Sequence, residues 1–286
     1  MQKKFEVAAE AQNRAWQSFE VVQGAPDAPF LLLCDHATNL LPPEFGTLGL
    51  AAADLDRHIA YDIGALPVAL AIGQTLKATV IYTRFSRLLI DPNRGEDDPT
   101  LVMQISDGAV VPGNVKIDAA AREQRIAEFY AAYHSAFSAE IDAMIARSVV
   151  PTIVSIHSFT EAWRGSPRKW RAAILWDKDP RLALPLLHEL RAHTGCEIGD
   201  NEPYSGHLRN DTIFRHATSR GLPNALIEIR QDLIREAKGQ QEWGGLIADC
   251  LKAIVEKEET AAPLRRIDYY GSHTDICPIT HSLERG

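Results

Sequence analysis

Short apolar runs alternate along the chain with longer segments in which apolar residues recur every three or four positions. Five of the short runs have the length of strands and lie at residues 29–34, 78–85, 151–157, 172–176 and 224–229. They are almost continuously apolar, which is typical of strands covered on both faces. Helical spacing occupies residues 54–76, 117–147, 180–193 and 240–257. This alternation predicts an α/β fold in which a mixed, mostly parallel sheet lies between helices.

The longest helical segment, residues 117–147, has a well-defined apolar stripe. Asp118 stands at the position of an N-cap, where a carboxylate can accept a hydrogen bond from the first helical turn. The stripe is expected to face the core and consists of Ile126, Tyr130, Tyr133, Phe137, Ile141 and Met144. His134 lies beside this stripe and is predicted to be exposed to solvent.

Composition and charge exclude several classes of protein. The 286 residues carry a formal net charge of −8 with scattered Lys and Arg, so we expect no nucleic-acid partner. No apolar run approaches the roughly 20 residues of a membrane span. The first 16 residues lack the apolar core of a signal peptide and predict a polar, helical segment. A cytoplasmic protein without a membrane partner is therefore expected.

Cysteine usage fits the same compartment. Cys34, Cys196, Cys250 and Cys277 are far apart and form no Cys-x-x-Cys pair. This argues against a disulfide framework or a zinc ribbon, and a reducing cytoplasm is expected. Repeats and linkers are absent from the sequence, which predicts a single domain over residues 1–286. Its core should span about residues 28–257, and the polar segment 258–286 gives no structural signal.

Polar side chains follow four of the predicted strands. They are Cys34, Asp35 and His36 after the first strand, Arg84, Arg87, Asp91, Asn93 and Arg94 after the second, His157 at the end of the third, and Glu228, Arg230 and Asp232 at the end of the fifth. In α/β sheets, sites form beyond the carboxyl ends of the strands. Buried ionisable groups are costly unless they are paired or bound to a metal, so these endings predict a functional site.

The chemistry of these side chains suits metal-dependent hydrolysis. Two imidazoles and one carboxylate, with one position left open, form the ligand set of a hydrolytic zinc ion. A separate carboxylate can then act as general acid and base, and arginine can grip an anionic substrate. His36 and His157 are the candidate ligands, and Arg87 and Arg94 are candidates for the substrate.

Six segments together resemble the N-formylglutamate amidohydrolase family. They are CDHATNLLP, HIAYDIGA, SRLLIDPNR, SIHS, NEPYSG and LIEIRQDLI, in that order over residues 30–236. That family in turn resembles the zinc carboxypeptidases, which implies a zinc-carboxypeptidase-like α/β fold with a mixed sheet of about eight strands between helices. The resemblance also implies His157 as a Zn²⁺ ligand, Asn93 and Arg94 as the group that binds a substrate carboxylate, and Glu228 as the general base.

The third metal ligand is not fixed by this resemblance. Carboxypeptidases carry a His-x-x-Glu pair, whereas His36 is followed by the neutral Asn39 at that spacing. We favour Asp62, which stands one helical turn after His58 in the predicted helix. Three alternatives remain open, namely Asp56, His58 and Asp35. Alternation along a strand would turn Asp35 away from His36.

These observations predict a zinc-dependent amidohydrolase whose substrate is a small anionic N-acyl amino acid. The leading substrate is N-formyl-L-glutamate, which would be cleaved to formate and glutamate. One alternative is a thiol amidohydrolase, because Cys34 precedes His36 by two positions and would face the same side of the strand. Another is a non-catalytic metal- or anion-binding protein, since Asn39 departs from the carboxypeptidase pattern.

Two further segments are candidates for the border of the pocket. Tyr204 in NEPYSG could reach a substrate from a loop, although loop tyrosines have many structural uses. Trp163, Arg164 and Arg168 in EAWRGSPRKW are expected at the surface, with the pocket border as the alternative.

Overall fold

The computed structural model describes residues 16–275 of the chain and contains one seven-stranded mixed sheet. Its strands in chain order are β1 Phe19–Val22, β2 Phe30–Cys34, β3 Thr79–Thr83, β4 Thr152–Phe159, β5 Ala172–Leu175, β6 Gly199–Asp200 and β7 Asn224–Arg230. Across the sheet they follow the order β1-β3-β2-β4-β7-β5-β6. Two-residue hairpins form outside it, from Ile105–Ser106 with Ala109–Val110 and from Ala162–Trp163 with Ser166–Pro167.

Helices cover both faces of the sheet. They are α1 Ala52–Leu55, α2 Ala65–Leu76, α3 Ala119–Arg125, α4 Ala131–Ala146, α5 Pro180–Thr194, α6 Thr212–His216, α7 Gln231–Ile234, α8 Ala237–Glu256 and α9 Glu258–Leu264. A π-helical turn, Ile126–Tyr130, joins α3 to α4, and short 3₁₀ turns occupy Pro43–Phe45, Pro112–Asn114 and Thr218–Arg220.

The four central strands β3, β2, β4 and β7 run parallel, so their carboxyl ends meet at one edge. Strand β1 pairs antiparallel with β3, and β5 pairs antiparallel with β7. Register brings particular residues side by side, with Leu33 opposite Ser155 and Glu228 opposite His157. Side chains that end β2, β4 and β7 are therefore neighbours although they are far apart in sequence.

Alternation along each strand divides the core between the two faces. On β2, Phe30, Leu32 and Cys34 pack with α2, α5 and α8, whereas Leu31 and Leu33 pack with α4. The stripe predicted for residues 117–147 is buried in full, and Asp118 caps α3 by accepting a hydrogen bond of 2.8 Å from the Ala121 N–H. Both predictions for this helical segment are confirmed.

All five predicted strands are present, and the mixed, mostly parallel sheet is confirmed. The described residues contain seven sheet strands rather than about eight. Strands β1 and β6 were not predicted because β1 is a four-residue, partly exposed edge strand interrupted by Glu20 and β6 has only two residues. Strand β1 also places residues 19–22 in the sheet, before the predicted start of the core at residue 28.

The structure bears differently on the predictions for the two ends of the chain. The segment after residue 257 was expected to carry no structural signal, but Glu258–Leu264 forms α9, with Ala261 and Leu264 buried. The buried guanidinium of Arg181 binds the carbonyl oxygens of Pro263 and Arg266 and so fixes this segment to the domain. The predicted N-terminal helix, apart from residue 16, and Cys277 lie outside the described residues.

No helix within residues 16–275 combines the length and the apolar character required to cross a bilayer. Cys34, Cys196 and Cys250 are unpaired thiols in this range.

The helix predicted over residues 54–76 is interrupted, and this prediction was wrong for its first half. After α1, residues 56–64 form turns, and α2 begins at Ala65. Gly64 precedes α2 with φ = 82°, a conformation that L side chains rarely adopt. A Cβ atom at this position would lie 2.2 Å from the carbonyl oxygen of Ile234. Close contact with α7 therefore fixes where this helix begins.

We expect Gly64→Ala to lower the free energy of unfolding by about 2 kcal/mol or more, because it adds left-handed strain to a clash with backbone. The matched control is Gly245→Ala in α8, where an added Cβ meets nothing within 4 Å. That variant should be stabilised by about 0.5–1 kcal/mol through higher helix propensity. Urea unfolding of both variants measures the difference, and equal stabilities would contradict this account of Gly64.

Candidate active site

Three buried side chains meet at the carboxyl edge of the sheet. His36 follows β2, His157 lies in β4, and Asp62 comes from the turns before α2. Asp62 Oδ2 is 3.3 Å from His36 Nδ1 and 2.8 Å from His157 Nδ1. Their nearest donor atoms all lie within 4.8 Å of one another, and none of the three residues is more than 5% exposed. Nitrogen and oxygen donors in this arrangement could hold a metal ion.

The sequence pattern did not predict the contacts that place Asp62 here. Its backbone N–H donates a 2.9 Å hydrogen bond to the His36 carbonyl, which attaches the turn to the end of β2. The Ser158 N–H donates to Asp62 Oδ2 at 3.4 Å. The expectation that Asp62 shares a helical face with His58 was wrong, because residues 56–64 are not helical.

The second nitrogen of each imidazole is bonded to another buried carboxylate. His36 Nε2 lies 2.7 Å from Asp91 Oδ1, and His157 Nε2 lies 3.2 Å from Asp35 Oδ2. Partners of this kind fix the orientation and tautomer of a metal-binding imidazole and increase its basicity. Both Nδ1 atoms are consequently the ones that face Asp62.

Asp91 and Asp35, the two outer carboxylates that bond the Nε2 atoms, are themselves neutralised or hydrogen-bonded. Arg87 donates to Asp91 Oδ2 through Nη2 at 2.7 Å and Nε at 3.1 Å. Burial alone would raise the pKa of Asp91, but the charges of Arg87 and His36 and the hydrogen bond to His36 together outweigh it, and the pKa is held well below its usual range. Asp35 Oδ1 accepts hydrogen bonds from Tyr133 at 2.8 Å and from Thr212 at 3.0 Å. Burial would raise the pKa of Asp35, but the hydrogen bond and charge of His157, with smaller contributions from His36 and Tyr133, lower it.

The other ligand candidates lie away from this cluster. Asp56 is exposed and accepts from Asn39 Nδ2 at 3.3 Å, and Asn39 forms no hydrogen bond with either imidazole within residues 16–275. His58 lines the cavity, but the carboxylate closest to it is that of Asp107, 3.6 Å from its Nε2. Asp35 contacts His157 through Nε2 and forms no hydrogen bond with His36 within residues 16–275. Among the residues considered as the third ligand, only Asp62 joins the two histidines.

Cys34 is fully buried in the apolar cluster beneath α2 and does not line the cavity. Burial, together with the charges of Asp62 and Asp35, raises the pKa of its thiol well above the usual value. Strand β2 ends at Cys34, so the alternation that would place it on the same side as His36 does not extend that far.

Glu228 stands beside His157 across the β7–β4 pairing and is 9% exposed. Its Oε2 atom has no hydrogen-bond partner within the described chain. Burial raises the pKa of this carboxyl to about 7, although His157 lowers it in part. Arg230, two residues further along β7, bonds Asp232 at 2.7 and 3.0 Å and forms no ion pair with Glu228 within residues 16–275. A buried carboxylate without a partner is poised to exchange a proton.

A cavity of about 400 Å³ opens over these groups and is lined by His36, Asp62, Arg87, Asn93, Arg94, His157 and Glu228, among others. The half-buried Arg94 side chain forms no ion pair or hydrogen bond with any residue between 16 and 275. Asn93 accepts from the Thr212 N–H through Oδ1 at 3.1 Å, and its Nδ2 group forms no hydrogen bond within that range. Arg94 and Asn93 thus present free donors to the cavity.

The loop that carries Asn93 and Arg94 is held from behind by the long helical segment. Tyr130 in the π-helical turn donates to the Arg94 carbonyl at 2.7 Å, and His134 Nε2 bonds the Pro92 carbonyl at 3.1 Å. His134 was predicted to be exposed, which was wrong. It is 5% exposed and bonds His216, a partner about which the sequence gave no signal. Burial lowers the pKa of both histidines, to about 4 and about 3 respectively.

Another wall of the cavity is aromatic and includes Phe159, Trp163 and Tyr204. Trp163 and Arg164 are exposed, as expected, and Trp163 borders the cavity. Arg168 was also expected at the surface, but it is only 9% exposed and donates to the Tyr204 hydroxyl at 2.7 Å.

The sequence patterns also missed the residues that support the two histidines. The Ser155 side chain points into the site, and its Oγ lies 3.0 Å from His157 Nε2. Only its position two residues before His157 on the same strand could have indicated this contact. Thr212 and Tyr133 support Asp35 from α6 and α4, and no local motif indicates that contact.

Comparison with known proteins identifies the family and the fold. A sequence profile of the N-formylglutamate amidohydrolase family matches residues 28–235. A crystal structure of a gene product from Agrobacterium tumefaciens has 34% identity and a TM-score of 0.79, over 87% of this chain and 98% of that chain. The N-formylglutamate amidohydrolase from Ralstonia eutropha JMP134 has a TM-score of 0.66 at 20% identity, over 84% and 97% of the two chains, which indicates a shared fold. Comparison with curated proteins gives no match.

The family profile covers most of the chain and includes every candidate site residue named above. The family that six short segments indicated is therefore confirmed. The protein is a hydrolase that acts on amide bonds, and the chain belongs to the N-formylglutamate amidohydrolase family.

Proposed function

We propose that this protein is a zinc-dependent hydrolase of small anionic N-acyl amino acids and that its substrate is N-formyl-L-glutamate, which it cleaves to formate and glutamate. One observation carries the proposal. The unpartnered carboxylate of Glu228 stands beside a buried cluster of two imidazoles and one carboxylate, in a chain of this family. The cavity of about 400 Å³ suits a ligand the size of an acylated amino acid.

His36, His157 and Asp62 are the proposed metal ligands. Their donor set is that of a hydrolytic zinc site with an open position. Charge balance supports a divalent cation. With neutral imidazoles, Arg87 offsets only one of the buried carboxylates Asp35, Asp62 and Asp91. Zinc in such a site supplies an acidified water molecule and polarises a carbonyl group.

Glu228 is the proposed general base and acid. It is positioned to accept a proton from the attacking water and to deliver that proton to the departing amide nitrogen. A raised pKa favours this double role, because the group then exchanges protons near neutral pH. By contrast, Asp91 and Asp35 have lowered pKa values and remain ionised partners of the histidines.

Arg94 and Asn93 are proposed to bind a carboxylate of the substrate through their free donors, in the bidentate manner typical of arginine. Arg87 lines the same cavity, but Nε and Nη2 are already bonded to Asp91. Only its Nη1 atom, 3.6 Å from Asp62 Oδ1, is available to a substrate oxygen. We therefore assign Arg87 chiefly to orienting Asp91 and secondarily to the substrate.

Neither alternative function has comparable support. The thiol mechanism requires an accessible, ionisable cysteine, and Cys34 is fully buried with a raised pKa. A non-catalytic binding protein would have no use for the orphaned Oε2 of Glu228, since an unsatisfied buried carboxylate is destabilising.

Removal of either imidazole should abolish metal binding and activity together. We expect His36→Ala and His157→Ala, purified without chelator, to contain less than about a tenth of the zinc of the wild type, since each loses one of three protein ligands. Metal analysis by mass spectrometry measures this. His58→Ala is the matched control, because His58 lines the same cavity outside the cluster and should retain full zinc content.

Chelator-treated wild-type protein should be inactive until zinc is restored. Cys34→Ala should remain active with its metal, because the thiol does not reach the cavity. Full zinc occupancy in His36→Ala and His157→Ala would refute the ligand assignment. Loss of activity in Cys34→Ala, with chelators harmless, would favour the thiol mechanism.

Substitution of Glu228 by Gln should reduce kcat by roughly 10²- to 10⁴-fold while zinc content and substrate affinity change little. The wild-type rate should fall as pH decreases, because protonated Glu228 cannot accept a proton. Burial raises its pKa to about 7, and a cation at the cluster would place this limb somewhat lower. The acidic limb should be absent in Glu228→Gln. Loss of zinc would instead identify Glu228 as a ligand, and an unchanged pH profile would assign the base elsewhere.

Replacement of Arg94 by Lys should raise the KM for N-formylglutamate by about 10-fold or more, since Lys keeps the charge but loses the planar fork. Arg209→Lys is the control, because Arg209 is exposed in the adjoining hollow and outside the main cavity. It should leave KM unchanged. If a folded Arg94→Ala protein kept wild-type KM and kcat, the carboxylate-binding role of Arg94 would be excluded.

A further inference from the structure

Arg168 is a buried cation that has no anionic partner in residues 16–275. Its guanidinium lies against three aromatic rings, at 4.9 Å from the centroid of Tyr204, 5.3 Å from that of Phe159 and 5.8 Å from that of Trp163. Its Nη1 atom is buried without a hydrogen-bond partner. A buried charge without an anionic partner destabilises a fold, and buried arginines are normally paired with carboxylates.

All three aromatic residues line the cavity that contains the metal cluster and Glu228. Arg168 therefore lies directly behind one wall of that cavity. Its single side-chain hydrogen bond within the described chain is to the Tyr204 hydroxyl, at 2.7 Å from Nη2. Through this contact, the charge of Arg168 can act on a ligand bound in the cavity.

The direction of this hydrogen bond determines what Tyr204 offers. A guanidinium only donates, so the Tyr204 oxygen accepts from Arg168 and its own O–H must point elsewhere. No group in residues 16–275 accepts that proton, and Tyr204 is 43% exposed on the cavity side. Burial raises the pKa of Tyr204, and the charges of Glu228 and Asp62 raise it further although Arg168 opposes them. The hydroxyl therefore stays protonated and donates.

We propose that the Tyr204 hydroxyl, positioned and polarised by Arg168, binds the side-chain carboxylate of a dicarboxylic N-acyl amino acid. This inference rests on the proposed function and deepens it. Asn93 and Arg94 would hold the α-carboxylate that every N-acyl amino acid carries. Tyr204 and Arg168 would then recognise the second carboxylate and select glutamate-type substrates over neutral ones.

Charge in the cavity supports a dedicated second subsite. Glu228, which the proposed metal does not bind, lines the same cavity as Tyr204, and in its ionised form it repels a second carboxylate that enters that space. An uncompensated cation behind the wall offsets this repulsion. Because Arg168 acts through Tyr204, it is a positioning residue and does not touch the substrate.

The test compares N-formyl-L-glutamate with N-formyl-L-glutamine, a nearly isosteric substrate that lacks the side-chain charge. The wild type should prefer the glutamate compound in kcat/KM by about 10-fold or more. Tyr204→Phe should lower kcat/KM for the glutamate compound by roughly 10- to 100-fold, as expected for one lost hydrogen bond to a charged group. It should lower kcat/KM for the glutamine compound by only about 2- to 5-fold, because the neutral amide oxygen accepts a weaker hydrogen bond. Arg168→Met should do the same, and Arg168→Lys should retain part of the preference.

Two controls separate recognition from structure. Arg164→Met removes an exposed arginine of the same hairpin region, 5.8 Å from the Trp163 ring centroid, and should leave the preference unchanged. Arg94→Lys should weaken both substrates equally. If Arg168→Met fails to fold, Tyr204→Phe still decides, because it removes only one hydroxyl from a partly exposed side chain.

An equal loss for both substrates in Tyr204→Phe would overturn the inference, as would a wild type that shows no preference. Calorimetric binding of glutamate and glutamine repeats the comparison without turnover. If the wild type hydrolysed no N-formyl amino acid but bound glutamate more tightly than glutamine, in a manner dependent on Tyr204, the proposed function would fail and the second subsite would stand.

Discussion

The site depends on the need to compensate several carboxylates that are almost completely removed from water. Asp35 and Asp91 are 0% exposed, and Asp62 is 5% exposed. An ionised carboxylate in such surroundings is strongly destabilising unless hydrogen bonds and opposite charges replace its hydration. The two outer carboxylates bond the Nε2 atoms of His36 and His157, and this leaves both Nδ1 atoms facing Asp62. The same contacts that make burial tolerable therefore create the arrangement that could hold a metal.

Glu228 differs from these carboxylates in one decisive respect. It occupies the same edge of the sheet, one strand away from His157, yet its Oε2 atom lacks a compensating partner within residues 16–275. Its pKa consequently rises while those of Asp35 and Asp91 fall. Similar groups in adjacent environments thus divide into carboxylates that stay ionised and one whose pKa is raised, and the proposed hydrolysis of an amide would use this difference.

The cationic side chains around the cavity likewise differ in whether their charge has a compensating partner. Arg87 is committed to Asp91, whereas Arg94 has no partner and Arg168 has only the hydroxyl of Tyr204 within residues 16–275. A positive charge left without its counterion beside a cavity favours an anionic ligand. Two such cations on separate chain segments are consistent with a substrate that carries more than one carboxylate.

The strands of the central sheet and the residues at their ends could be predicted from the sequence alone. Near-continuous apolar runs marked β2, β3, β4, β5 and β7, since a strand buried on both faces has no polar positions to spare. His36, His157 and Glu228 stand at or near the ends of such strands, and parallel pairing alone brings those ends together. Six short segments were sufficient to identify the family.

The groups that surround those residues could not be predicted and depend on the folded structure. Asp62 lies in turns where the pattern predicted a helix, and its position depends on a backbone bond to His36 and on the contact of Gly64 with α7. His134 and Arg168 carry polar side chains and were predicted at the surface, yet both are buried against partners distant in sequence. The physical reason is that hydrophobic periodicity reports whether a position is apolar. The compensation of a buried charge depends on contacts between remote segments, which no local pattern encodes.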